Sequence, residues 1–280
     1  MVPVPTRSFE ILRSPNVNEK VVISLIYPEA SINDLLNLEK PSFLGALEGT
    51  PTYEGLLSVT PSPLGDGTFK TAHIAELKRC SESTGHLFRY FGGQVLVAKR
   101  LHFEDKLGVV PKQIPPVQEE LRHIIQECNI LYWCSTILTL TYHFIDSKMQ
   151  EKGDPPFRIP RLRFVKSGFC YAKSEFSQSS RRGGHLLTRK FKETHLSSSK
   201  INRGYILEEN ITGRFVKYIG SLFPRPTTRG GTQLLSEAEL ETAEFLCFTQ
   251  HVQYLQTKGY GYISDYQGSG DLLTDPQLMT

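Results

Sequence analysis

The sequence has no pair of cysteines at disulfide- or metal-forming spacing. Its five cysteines, Cys80, Cys128, Cys134, Cys170 and Cys247, are odd in number, scattered, and include no CxxC. That pattern argues against a disulfide framework and for a reducing compartment, so a cytoplasmic protein is expected. There is no long apolar run. The most apolar stretch, Ile130 to Ile145, is sixteen residues and contains Ser135, Thr136, Thr139, Thr141 and His143. A bilayer-crossing helix needs roughly 20 mostly apolar residues, so this stretch reads as a core helix and no membrane partner is expected. The first residues are Pro-rich and polar, without the apolar core of a signal peptide. Charge of one sign is lacking too: the net charge is only +3, which gives no reason to expect a nucleic-acid partner. Internal repeats are absent.

What remains is ordinary globular material. The chain has 280 residues, 39% hydrophobic and 22% charged, enough for one large domain or two lobes. Residues 1–45 mix short apolar runs with Pro, Asn and Ser and read as an N-terminal extension, although VVISLIYPEA has the composition of a strand. From Glu54 the pattern predicts a hairpin: YEGLLSVT, the Gly-containing turn PSPLGDG, then TFKTAHIAELKRC. A polar loop is expected at residues 80–86, followed by the strand GGQVLVAKRLHF with Val95, Val97 and Lys99 on one face. Pro115 and Pro116 announce a long helix ending near Gly153, with Ile124, Cys128, Leu131, Ile137, Leu138, Thr141 and Ile145 at roughly helical spacing. RIPRLRFVKSGFCYAKSEF reads as a strand or a pair of strands. Residues 177–200, rich in Ser, Arg and Gly, read as a mobile basic loop, either merely solvated or in contact with a substrate or phosphate. GYILEENITG reads as a strand. The best-marked helix begins at Ser236, an N-cap whose capping box Glu239 completes, and ends at Lys258 and Gly259. Its stripe Leu240, Ala243, Cys247, His251 and Tyr254 places His251 on the inner face.

The chemistry is concentrated near the C-terminal end. Asp265 and Asp275 stand ten residues apart, and Gln267 follows the first by two, so on a strand end it points the same way. Hard oxygen ligands of this kind suit Mg²⁺, which favours one or two carboxylates plus phosphate oxygens. Further upstream, LGDGTFK carries Gly65 and Gly67, which either form a plain hairpin turn or let backbone approach phosphates. Lys99 ends an apolar strand run; it is either an exposed edge lysine or a point charge for phosphate.

The run D-x-Q-G-x-G followed by L-T-D-P resembles the catalytic core of the alpha-kinases, a family of atypical protein kinases. The resemblance covers roughly residues 55–280 in the family's order, and the motifs H-R-D and D-F-G of conventional kinases are absent, as the family leads one to expect. It implies an α+β, two-lobed fold: an N-lobe antiparallel sheet with a long helix, running from residue 46 to about 204, then a hinge and a truncated C-lobe over 205–280. It implies ATP and Mg²⁺ as cofactors and a protein Ser or Thr hydroxyl as acceptor. The V-A-K lysine, Lys99, and Lys70 would meet the ATP phosphates. By analogy with other kinases, Glu127 on the long helix would pair with Lys99, with Glu119 and Glu120 as competitors. Glu209 and Ile211, in a strand resembling the family's hinge, would meet adenine. TGRFVKY resembles the family's T-G-x-F-x-K-Y. Asp265 would position the acceptor hydroxyl or take its proton, and Gln267 and Asp275 would hold Mg²⁺ or the γ-phosphate. His251 matches the family's zinc histidine, but no H-x-C-x-x-x-C follows the T-D-P, so a complete zinc site is not expected. The alternatives from a different class are a nucleotide-binding pseudokinase or scaffold, or an incomplete kinase fragment.

Overall fold

The computed structural model describes residues 18–29, 31–37, 39, 41–47, 50–78, 82–102, 114–173, 201–220, 226 and 235–280. The loop expected at 177–200 and Cys80 lie outside them. Six antiparallel strands close a barrel in the order β1 (Asn18–Leu25), β2 (Thr52–Asp66), β3 (Lys70–Lys78), β4 (Val95–Leu101), β7 (Ile201–Glu209) and β6 (Ser167–Lys173), which pairs back to β1. Closure removes the free edges of an open sheet. Residues 18–25, within the stretch read as an extension, are thus a barrel strand held on both sides, by Val22↔Glu54 and Ile23↔Cys170. The interior is filled by alternate residues such as Leu57, Leu77, Leu96, Ala98 and Leu207.

The hairpin falls where the sequence places it, but its turn is shorter. β2 continues through the Pro-rich stretch with register shifts between Val59 and Gly65, and the chain reverses at Gly67–Phe69. Two short helices, α1 (Ile32–Asn37) and α2 (Phe43–Ala46), follow β1, and residues 80–86 are not simply a polar loop: α3 (Glu82–Phe91) begins inside them. Its polar first turn conceals it in sequence, while Leu87 and Phe91, at i and i+4, anchor it on the barrel.

The helix α4 (Val117–Lys152) has 36 residues, about 54 Å at 1.5 Å per residue. It starts after Pro116 and stops at Gly153, whose φ of 84° few other residues adopt. Every residue of its expected stripe is buried. Its first half covers the outer barrel face through Leu121, Ile124 and Cys128. A Cβ on Gly204 of β7 would meet Ile124 Cδ1 at 2.7 Å, so the strand approaches the helix this closely because it carries glycine there. The second half packs Ile137, Leu138 and Ile145 against α5 (Glu237–Gln256) and two small sheets. One is β5 (Arg163–Phe164), β11 (Leu272–Thr274), β10 (Gln267–Ser269) and β8 (Val216–Lys217); the other pairs β12 (Gln277–Met279) with β9 (Tyr262–Ser264). No helix among the described residues is long and apolar enough to cross a membrane.

α5 carries the expected capping box, with both Ser236–Glu239 bonds made. Its inner face differs from the apolar stripe. Ala243, Leu246, Thr249, Gln250 and Gln253 are buried, whereas His251 and Tyr254 are exposed. The physical reason is the strand it must hold. Gln250 Nε2 donates to Ile263 O at 2.8 Å, and Gln253 Oε1 accepts from Ile263 N at 2.9 Å. Gln253 Nε2 also reaches Thr141 Oγ1 and Tyr266 Oη. Two amides serve as backbone partners for β9, which a hydropathy stripe cannot reveal.

Candidate active site

β3 and β4 present alternate side chains to the outside of the barrel. Lys99 pairs with Ala72 in register, so Lys70, two residues before Ala72, stands on the same outer face. On β7, Glu208 lies opposite Val97 and points the same way as Lys99. Above this face lies the second sheet. Lys217, Gln267 and Thr274 are directly opposed across β8, β10 and β11, so their side chains share one side.

Asp275, just after β11, joins the two layers. Its Oδ1 is 2.8 Å from Lys70 Nζ and its Oδ2 is 2.9 Å from Lys99 Nζ. Lys99 also bonds Glu208 Oε2 at 2.7 Å and Thr274 Oγ1 at 2.6 Å, and the Thr274 hydroxyl donates to Glu208 at 2.7 Å. Lys70 is completed by Glu127 of α4 at 2.5 Å. Three carboxylates therefore share two ammonium groups. Lys99 and Glu208 are almost fully buried, whereas Lys70, Glu127 and Asp275 retain partial access to solvent. Burial alone would raise the Asp275 carboxyl, but Lys99 and then Lys70 outweigh it and hold the group well below the usual carboxylate range. Burial would likewise lower Lys99; Asp275 and then Glu208 overcome it and raise the ammonium instead.

The local backbone serves this arrangement. Asp265 and Asp275 both adopt left-handed conformations, at φ of 56° and 49°, which side-chain-bearing residues take up at a cost and which cluster at functional sites. Between β9 and β10, Asp265 does not continue a strand. Its turn brings Oδ1 to 2.7 Å from Lys217 Nζ, outside directed hydrogen-bond geometry, so the contact is an ion pair. Lys217 is thus ion-paired with Asp265 and stands in register opposite Gln267. A Cβ on Gly268 would lie 1.8 Å from Leu272 O, so the glycine of D-x-Q-G is the residue that lets β10 and β11 close.

The structure brings together Lys70, Lys99 and Asp275; Gln267 lies in register opposite Thr274, which bonds Lys99, with Asp265 at the far end of the row. It does not bring all the expected groups there. Glu127 pairs with Lys70, not Lys99, whose carboxylate partner on the strands is Glu208; Glu120 is buried against Arg100 and the Gly204 amide, away from both lysines. Glu208 and Glu209 point to opposite faces. The Glu209 carboxylate is held by Arg163, and its amide donates to Lys166 O at 3.0 Å. Gly67 closes the turn ahead of Lys70, with its amide donating to Lys70 O at 2.9 Å, while Gly65 is exposed within β2. Ile211 lies two residues beyond β7, half-buried. His251 is exposed and Cys247 half-buried. Among the described residues, no three His, Cys, Asp or Glu side chains converge as a metal site. Glu208, Thr274 and Lys217 were not singled out from sequence. The available signals are that Glu208 and Thr274 each stand beside a chosen residue, Glu209 and Asp275, and that Lys217 lies inside TGRFVKY.

The chain belongs to the alpha-kinase family, whose profile matches residues 65–280. No curated protein matches it. Among solved structures, the alpha-kinase domain of myosin heavy chain kinase A in complex with AMP is similar at a TM-score of 0.50 and 14% identity, over 94% of this chain and 85% of that one. The inactive form of that domain with ATP matches at 0.49 and 13%, over 95% and 84%. An alpha kinase from Entamoeba histolytica matches at 0.48 and 17%, over 93% and 76%. At such identities the likeness is one of fold, a mixed α+β kinase domain.

Proposed function

We propose that this chain is a protein kinase that binds ATP with Mg²⁺ between the barrel and the β5-β11-β10-β8 sheet and transfers the γ-phosphoryl group to a protein Ser or Thr hydroxyl. The observation that carries the reading is the Lys70–Asp275–Lys99 arrangement at the junction of the two layers. Lys99 and Lys70 supply ammonium groups to phosphate oxygens, exchanging Asp275 for a ligand of the same sign and chemistry. Asp275 and Gln267 then have oxygens for a hard cation. The cleft carboxylates are held apart by the lysines, so a cation shell there needs phosphate oxygens to complete it, which is the habit of Mg²⁺. When bound, the cation neutralises charge that develops on the phosphate oxygens.

Asp265 stands at the end of the Lys217–Gln267–Thr274 row, held by Lys217. In this reading it accepts the proton of the acceptor hydroxyl as that oxygen bonds phosphorus and the bond to the β-phosphate oxygen breaks, leaving ADP. The adenine end lies toward the end of β7 near Ile211.

The test is transfer of labelled γ-phosphate to the chain itself and to a mixed protein acceptor, with and without Mg²⁺. Wild type should transfer only with Mg²⁺. Asp265→Ala should bind ATP with little change yet transfer at least about a hundredfold more slowly, because proton transfer contributes only in the transition state. Equal rates for the two would remove Asp265 from the reaction. Nucleotide binding with no transfer by wild type would instead select the pseudokinase reading.

A further inference from the structure

On the face of β7 that carries Glu209, away from Lys99, the chain from Leu162 to Ser167 acts as a splint between two elements. One edge bonds β11: Arg163 N donates to Asp271 O at 3.0 Å and Val165 N to Leu273 O at 2.8 Å. The other holds the end of β7, through the Glu209 amide on Lys166 O and the Arg163–Glu209 ion pair. A cavity of 230 Å³ lies against this splint, walled by α4 and by Tyr90 of α3. Cavities of about 150 Å³ hold benzene, and drug-sized ligands take about 300 Å³ or more. The space therefore suits one ring with a short substituent and is too small for a fatty acyl chain.

The wall chemistry narrows the ligand. The floor is apolar, formed by Leu131, Leu138, Leu162 and Phe164. The hydroxyls in the wall are already committed. Ser135 Oγ donates to Leu131 O and Thr139 Oγ1 to Ser135 O. Tyr142 Oη accepts from Leu162 N and donates to Pro160 O, and Tyr90 Oη donates to Ile26 O. Such a wall asks for no polar atom from a ligand body. Lys166 is different. It is exposed, its Nζ stands 5.7 Å from the centre of the Tyr90 ring, and it has no ion-pair partner among the described residues.

We propose that this cavity is a second ligand site, taking a single-ring aromatic carboxylate whose ring fills the apolar floor and whose carboxylate pairs with Lys166. Its occupant bears directly on the splint, so binding there stiffens the link between the end of β7 and the strand that leads to Asp275. The site is separate from the nucleotide cleft and would exist whether or not the chain transfers phosphate.

The experiment is calorimetric titration of the full chain with phenylacetate and, as the neutral counterpart, phenylacetamide. Phenylacetate should bind saturably at one site per chain, with the amide about tenfold weaker, the equivalent of one charge-assisted hydrogen bond. Lys166→Gln should weaken phenylacetate by about the same factor, and this exposed position leaves folding intact. Ser135→Phe, which fills the cavity from α4, should abolish binding. Hydrogen exchange at the Arg163, Val165 and Glu209 amides should slow when phenylacetate is bound. Absence of saturable binding, equal binding of the amide, an unchanged affinity in Lys166→Gln, or unaltered exchange at those three amides would each overturn the proposal. None of these readouts requires nucleotide, so the proposal and the kinase reading fail independently.

Discussion

Lys99 has two roles that a single substitution separates poorly. It is the buried partner of Glu208 and Asp275, and in the proposed function it is the cation offered to phosphate. Removing one member of a buried ion pair leaves the other uncompensated, at a cost of roughly 3–5 kcal/mol. Lys99→Ala should therefore lower the melting temperature markedly, and Lys99→Ala/Glu208→Gln should recover part of that loss without recovering ATP binding. Recovery of both would make Lys99 a structural residue only. Asp275 offers a pH test. Its carboxyl is held below the usual range in the folded chain, and an unfolded Asp titrates near pH 3.9. The stability this contributes is present above that value and is lost as pH falls below it toward the folded pKa. The stability gap between wild type and Asp275→Asn, read from urea melts, should shrink between pH 6 and pH 3; a gap independent of pH would contradict the ion-pair assignment. Of the ion-paired cluster, Lys99, Lys70 and Asp275 were marked in the sequence by motif. Glu208 was not, because choosing between two adjacent glutamates depends on strand parity, and parity is fixed only once β7 is registered on β4.

At the scale of elements, the closing hairpin is the most sensitive part. Gly268 is the close-approach position between β10 and β11, so Gly268→Ala must push the strands apart. Overpacking of this kind costs typically 1–3 kcal/mol, and it displaces Gln267 and Thr274 together. The variant should lose phosphoryl transfer while remaining folded by circular dichroism; full activity would mean that the hairpin adjusts freely. Element types followed from local signals where these were strong. α4 has two prolines before it and a glycine after it, and α5 has its capping box. α3 was missed because its first turn is polar, and the burial of α5 was misread. There, Gln250 and Gln253 point inward for backbone hydrogen bonding, and His251, on the stripe hydropathy suggests, points outward. Sequence periodicity registers apolar burial and is blind to buried amides that satisfy a strand edge.

For the whole molecule, α4 is the shared member. It buries Ile124 against the barrel and Ile137 in the cluster with α5 and the small sheets, so neither layer keeps its core without it. Unfolding in urea should be one cooperative transition, and Ile124→Ala and Ile137→Ala should each shift that single midpoint by the equivalent of about 2–5 kcal/mol. Two resolved transitions, each sensitive to only one substitution, would show that the layers fold independently. The same architecture places the proposed phosphate site at a junction, with Lys70 and Lys99 from the barrel and Asp275 and Thr274 from the second sheet. The claim that this junction is a nucleotide site is tested most directly by the equilibrium affinity for ATP in the presence of Mg²⁺, measured by calorimetry. The comparison is among wild type, Lys70→Gln and the surface control Lys148→Gln. The account predicts saturable binding by wild type and by Lys148→Gln, and at least about tenfold weaker binding by Lys70→Gln, the loss of one charge-assisted phosphate contact. Equal affinity of all three, or no binding by wild type, would contradict it.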